Sequence, residues 1–182
     1  MNFKINEIPV DKKILRKELN EVTFPISKEN KKIADWMINY IDESQKPGFE
    51  DRAGVGIAAN QIGVDLKMFY VNIPLDNGTK YIEFLINPKF KAMGAVDAAL
   101  EGGEGCLSVP ENWPNTIGYV NRKFKVIITG YSYLQKKEVT ITKVGYPAIV
   151  LQHEMDHING GLFYDKINQK NPWEKKPNIT II

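Results

Sequence analysis

Tyr146-Pro147-Ala148-Ile149-Val150-Leu151-Gln152-His153-Glu154-Met155-Asp156-His157 contains both histidines of this 182-residue chain, four positions apart. Pro147 suits the first turn of a helix, and Asn159-Gly160-Gly161 supplies a stop. Residues i and i+4 share a helical face, so His153 and His157 project together. Ile149, Val150 and Glu154 belong to the same broad face. Two imidazoles so placed can hold a divalent ion, and the glutamate can move protons for a water beside it. The bland alternative is a pair of helix histidines with ordinary hydrogen bonds. The intervening glutamate and the clear helix boundaries favour the metal. Asp156 reads as solvated or as supporting a ligand from outside.

Two histidines leave such a site short of a ligand, because catalytic zinc-type centres take three protein donors and keep a position for water. The third donor is either Cys106, the single cysteine, or a carboxylate. A lone cysteine is often just a small buried hydrophobe. Here it lies in Glu101-Gly102-Gly103-Glu104-Gly105-Cys106-Leu107-Ser108, a glycine-rich stretch whose backbone can approach a ligand closely. A thiolate donor suits Fe(II), Zn or Ni better than Mg or Ca.

Gly54-Val55-Gly56-Ile57-Ala58-Ala59-Asn60-Gln61 is a second run of small residues. It formally fits the G-x-G-x-x-A dinucleotide pattern. That pattern must follow a strand and open a helix, whereas residues 48–53 read as polar loop. The better reading is backbone lining a cleft, with Gln61 presenting an amide. Taken alone, Gln61 would be an ordinary surface glutamine.

Around these segments the sequence predicts a short helix over Asp11–Leu19. A second is capped by Ser27 and carries Ile33, Trp36, Met37, Tyr40 and Ile41 at helical spacing until Lys46-Pro47-Gly48. Met68–Ile73 and Tyr81–Ile86 read as strands, and Phe124–Tyr131 with Lys137–Thr142 as a hairpin across Leu134-Gln135-Lys136. The tail after about residue 166 is Lys- and Pro-rich until Ile179-Thr180-Ile181-Ile182, a candidate edge strand. Strands followed by a late helix predict an α+β fold: mixed and antiparallel sheets packed around the central helix that carries the histidines. Residues 1–182 are expected to form one domain.

Apolar content of 43% and charged content of 25% are ordinary for a globular chain. A net charge of +2 is too small to argue for nucleic acid or membrane. One cysteine excludes an intrachain disulfide and fits a reducing compartment, or a thiol occupied by metal or catalysis. Residues 1–22 lack the apolar core of a secretory signal, and the longest apolar runs are too short to cross a bilayer. These points predict a cytoplasmic protein.

The three segments together resemble peptide deformylases. That family is marked by Gly-φ-Gly-φ-Ala-Ala-x-Gln (φ apolar), Glu-Gly-Cys-Leu-Ser and His-Glu-x-x-His, in that order. Gly54–Gln61, Glu104–Ser108 and His153–His157 match without substitution. The resemblance runs from about Val55 to Asp165. The long spacing between the first two motifs and the strand-prone tail look more like the Gram-positive-type branch. The resemblance implies a hydrolase acting on a linear amide, which removes the formyl group from the N-terminal formylmethionine of nascent bacterial polypeptides. It implies that Cys106, His153 and His157 bind one divalent ion, natively Fe(2+), with Zn(2+), Ni(2+) or Co(2+) as substitutes and water in the fourth place. It makes Glu154 the general acid and base. It makes the Gln61 amide and the Leu107 N–H the donors to the oxyanion. Substrate backbone would pair near Val55, Gly56 and Gly105. Val55, Tyr146, Ile149 and Val150 would enclose the methionine side chain. Glu104 would support the site by pairing with Arg122. The partners implied are N-formylmethionyl nascent chains at the ribosome, met by a monomer with no nucleic-acid or membrane site.

Three rivals share some of these residues. A zinc endopeptidase would take its third ligand downstream, where Asp165 is the only nearby aspartate. A cysteine hydrolase would use Cys106 as nucleophile and leave Glu154 idle. A metal-stapled peptide-binding domain would need a fourth ligand to close its site.

Overall fold

The computed structural model describes residues 3–182; Met1 and Asn2, which open the stretch read for a leader, lie outside the described residues. Among the described residues the chain runs through α1 (Lys12–Leu15), α2 (Lys28–Ser44), β1 (Gly56–Ala58), a 3-10 turn (Ala59–Ile62), β2 (Met68–Pro74), β3 (Lys80–Met93), β4 (Asp97–Ala99), β5 (Arg122–Lys123), β6 (Lys125–Ser132), β7 (Lys137–Val144), α3 (Tyr146–Ile158), a second 3-10 turn (Phe163–Lys166) and β8 (Thr180–Ile181). One sheet has the order β1-β2-β3-β6-β7 with every neighbouring pair antiparallel. A smaller sheet, β5-β4-β8, pairs β4 with β5 antiparallel and with β8 in parallel. Helix α3 packs against β1, β2, β5 and β7, so it touches both sheets. This is the expected α+β arrangement around a central helix.

The reasons are local. Ser27 Oγ accepts from the Asn30 N–H at 3.0 Å and starts α2. The helix buries Ile33, Ala34, Met37 and Ile41, while Trp36 and Tyr40 stack on its half-buried flank with centroids 5.1 Å apart. In β2, Met68 to Ile73 are all buried. Successive side chains point to opposite faces, so both faces of this strand are covered. Tyr70, Phe69 and Phe84 are among the largest side chains fully buried here, and such burial contributes about 1.5–3 kcal/mol each.

Two expectations need correction. The first helix ends at Leu15 rather than Leu19, because Glu18 bridges to Asn159 and the Leu19 N–H donates to Ile158 O at 3.0 Å. Strand β3 continues seven residues past Ile86 to Met93. Asn87, at φ 50°, and Pro88 do not end it, since register shifts on β6 absorb them. Strands β1, β4 and β5 have three, three and two residues, too few for hydrophobic periodicity to register. Among the described residues no helix is long and apolar enough to cross a membrane.

Candidate active site

Helix α3 is apolar around much of its circumference because it is enclosed: Ala148 to Gln152, Glu154, Met155, His157 and Ile158 are all buried. Gly145 caps it at φ 63°, and Pro147 lies in its first turn. Beyond its end, Gly160 sits at φ 75°, where a Cβ would meet Arg16 O at 2.6 Å. The glycine therefore lets the chain turn against α1.

The 153/157 spacing brings the two rings together at one place, and Cys106 comes to the same place. Cys106 Sγ and one nitrogen from each histidine lie within 4.8 Å of one another, with Sγ 3.2 Å from His157 Nε2. Donors 2.0–2.3 Å from a common tetrahedral ion stand about 3.3–3.7 Å apart. The Cys106–His157 separation is close to that span, and one thiol with two imidazoles is a donor set that can hold a single divalent ion. His153 Nδ1 is 2.9 Å from Glu104 Oε2, which leaves Nε2 to ligate. Arg122 holds Glu104 in a two-pronged pair, Nε to Oε1 at 2.7 Å and Nη2 to Oε2 at 2.8 Å, and reaches Asp156 Oδ2 at 2.6 Å. The Arg122 and Glu104 side chains are 1% and 4% exposed. Partners of this kind fix a ligand's tautomer and orientation.

The electrostatics follow from this enclosure. Burial alone would raise the Glu104 carboxyl, but hydrogen bonds from Arg122 and His153 hold it down at about 2. Burial, then the neighbouring charges of His153, Arg122 and Arg16, push His157 well below its ordinary value, so it is neutral and able to ligate. For His153 burial works the same way, but hydrogen bonds with Cys106 and Glu104 outweigh it and lift the group well above its usual range. Glu154 is 3% exposed, and burial raises its carboxyl to about 7. A carboxyl there can both accept and release a proton near neutrality. Its Oε2 is buried with no partner among the described residues, so a polar species entering the cavity has an acceptor waiting.

The Cys106 turn is held from two sides. The Ser108 N–H lies 3.4 Å from Sγ, and Arg52 donates to Cys106 O, Val109 O and Leu107 O at 3.2, 3.0 and 2.7 Å. In the 3-10 turn after β1, Gln61 Oε1 accepts from the Ala58 N–H at 2.9 Å. Its Nε2 donates to Ser108 Oγ at 3.1 Å and lies 3.7 Å from Cys106 Sγ. Gln61 is therefore no surface residue; it is 2% exposed and aimed at the cluster.

A cavity of about 360 Å³ opens over these groups. Val55, Gly56, Gln61, Gly105, Cys106, Leu107, Tyr146, Ile149, Val150, His153 and Glu154 line it. His157, 1% exposed, reaches the cluster from inside the fold. At Gly105 a Cβ would meet nothing within 4 Å, whereas at Gly56 it would overlap the Glu154 carboxylate. The missing side chain at Gly56 makes room for Glu154 itself. Among the described residues strand β1, at the sheet edge, pairs only with β2, and an edge strand offers backbone groups to an added strand.

Arg52, Leu100 and Glu111 also line the cavity and were not read from the sequence. Arg52 lies in a polar loop without periodicity, and its role depends on carbonyls more than fifty residues away, so no local signal marked it. Asp165, the downstream ligand an endopeptidase would need, is instead engaged by Arg16 and the Leu162 N–H. The arrangement sets three donors that can hold an ion, a buried carboxyl and a buried amide beside an apolar wall.

The model of the polypeptide deformylase family matches residues 4–173. A peptide deformylase of Mycoplasmopsis pulmonis is 41% identical, covering 95% of each chain. One from Pediococcus pentosaceus is 43% identical over 99% of each, consistent with the Gram-positive-type branch. The crystal structure of a class I type b peptide deformylase from Acinetobacter baumannii, bound to Met-Ala-Ser, superposes with a TM-score of 0.73 at 28% identity, covering 92% of this chain and 99% of that one. The match extends through the N-terminal segment and into the tail, beyond the span of the three motifs. The chain belongs to the polypeptide deformylase family and is an amide-hydrolysing enzyme.

Proposed function

We propose that this enzyme releases formate from the formylmethionine of nascent polypeptides, with Cys106, His153 and His157 holding one divalent ion. The observation that carries this reading is the opening of the three-donor cluster, beside the buried Glu154 carboxyl, onto one cavity with an apolar wall. The ion is Fe(2+) natively, and Zn(2+), Ni(2+) or Co(2+) substitute. When bound, it acts as a Lewis acid that activates water and polarises the formyl carbonyl.

The chain's own residues do the rest. Glu154 takes the proton of the attacking water and later delivers it to the leaving amine. Gln61 Nε2 and the Leu107 N–H donate to the oxyanion as it forms. Val55, Tyr146, Ile149 and Val150 enclose the methionine side chain, and fit of one methylene there is worth only about 1–3 kcal/mol. Substrate backbone adds to the open edge of β1 beside Val55 and Gly56 and runs past Gly105. Residues 1–182 act as one domain, as a monomer in the cytoplasm meeting chains at the ribosome.

The test is formate release from formyl-Met-Ala-Ser by the wild type and by Gln61→Ala. The variant is expected to keep its metal and lose roughly 10²–10³ in rate. An undiminished rate would remove Gln61 from this role. Cleavage of internal peptide bonds without formate would transfer the site to the endopeptidase reading.

A further inference from the structure

We propose that β8 and Ile182 brace the apolar wall of the cavity, and thereby set how strictly the enzyme selects the first side chain of its substrate. This rests on the deformylase reading above. Ile182 spends both backbone groups on the residues flanking Leu100: its N–H donates to Ala99 O at 3.0 Å, and its carbonyl accepts from the Glu101 N–H at 2.8 Å. Leu100 lines the cavity. Just upstream, Ala98 pairs with Thr180 and Ala99 with Ile181. On the far side, Gly102 and Gly103 follow, the latter at φ 77°. The Gly103 N–H donates to Leu100 O at 3.0 Å and closes a turn on that side, so Leu100 is held between this turn and β8.

The Ile182 side chain points toward the start of α3. A Cβ placed on Gly145 would stand 3.9 Å from Ile182 Cδ1 and 3.9 Å from Phe124 Cε2. The Gly145 N–H donates to Phe124 O at 2.8 Å. Gly145 caps α3, whose first residue, Tyr146, lines the cavity. Ile182, 39% exposed, thus joins the segment carrying Leu100 by its backbone and extends its side chain toward Gly145, where the helix carrying Tyr146 starts. The cluster of Cys106, His153 and His157, with Glu154, makes no contact with β8 through these bonds. Ile182 is a positioning residue that acts through Leu100 and Tyr146.

The experiment compares kcat, KM and bound metal for the wild type, Ile182→Val, Ile182→Ala and a chain lacking residues 179–182. The substrates are formyl-Met-Ala-Ser and formyl-Ala-Ala-Ser. Ile182→Val is expected to match the wild type. Ile182→Ala and the truncation should raise KM for the methionine substrate and flatten its preference over alanine by about ten-fold or more, with kcat and metal content retained. An unchanged preference in both variants would overturn the brace. So would a parallel fall of kcat and bound metal in Ile182→Ala, which would mark a merely structural role. No formate release by the wild type would sink the deformylase reading itself, and the brace with it.

Discussion

Glu154→Gln is expected to keep the metal and lose roughly 10²–10⁴ in the rate of formate release. Glutamine has nearly the shape of glutamate, so it fills the same 3%-exposed position against Gly56. His153 does not depend on the Glu154 carboxylate for orientation, because it is held by Glu104, and the Cys106 Sγ is approached by the Ser108 N–H. What the variant lacks is an atom that can take a proton from water and return it. The check is single-turnover formate release alongside metal content per chain. A variant that turns over at the wild-type rate would take Glu154 out of the chemistry.

Cys106→Ala is expected to drop formate release to background by a different route, through loss of the ion. Disturbing an outer partner of a ligand typically costs about 10–100-fold in metal affinity, and removing one of three donors costs more. The thiol is 9% exposed and sits against His157 Nε2. Its replacement leaves two neighbouring imidazoles without the anionic donor. Metal analysis separates this from the nucleophile reading. A Cys106→Ala chain that retains about one ion yet forms no product would favour a cysteine hydrolase. A chain that loses both supports the ligand role.

Much of this site was legible because its chemistry-bearing residue types are scarce. With two histidines and one cysteine, the 153/157 spacing on a helix with recognisable ends narrowed the donors to a short list. The long strands and α2 were legible for a different reason, since their apolar periodicity is long enough to register. Other features depend on distant backbone. Arg52 acts on the carbonyls of Cys106, Leu107 and Val109, and no local pattern encodes that reach. Helix α1 was read too long because its boundary is set by Asn159 and Ile158, not by residues 16–19. The need for glycine at position 56 was legible, but its cause was not. The crowding group is Glu154, ninety-eight positions away.

A metal-dependent deformylase built on Cys106, His153, His157 and Glu154 loses its activity with its ion and regains it with the ion. The most direct test is formate release from formyl-Met-Ala-Ser by protein purified without air, measured before chelation, after it, and after Fe(2+) is restored. About one ion per chain, release that stops on chelation, and recovery with the metal are expected. Formate release that persists after the ion is gone, or a fully metallated protein that never releases formate, would contradict this reading.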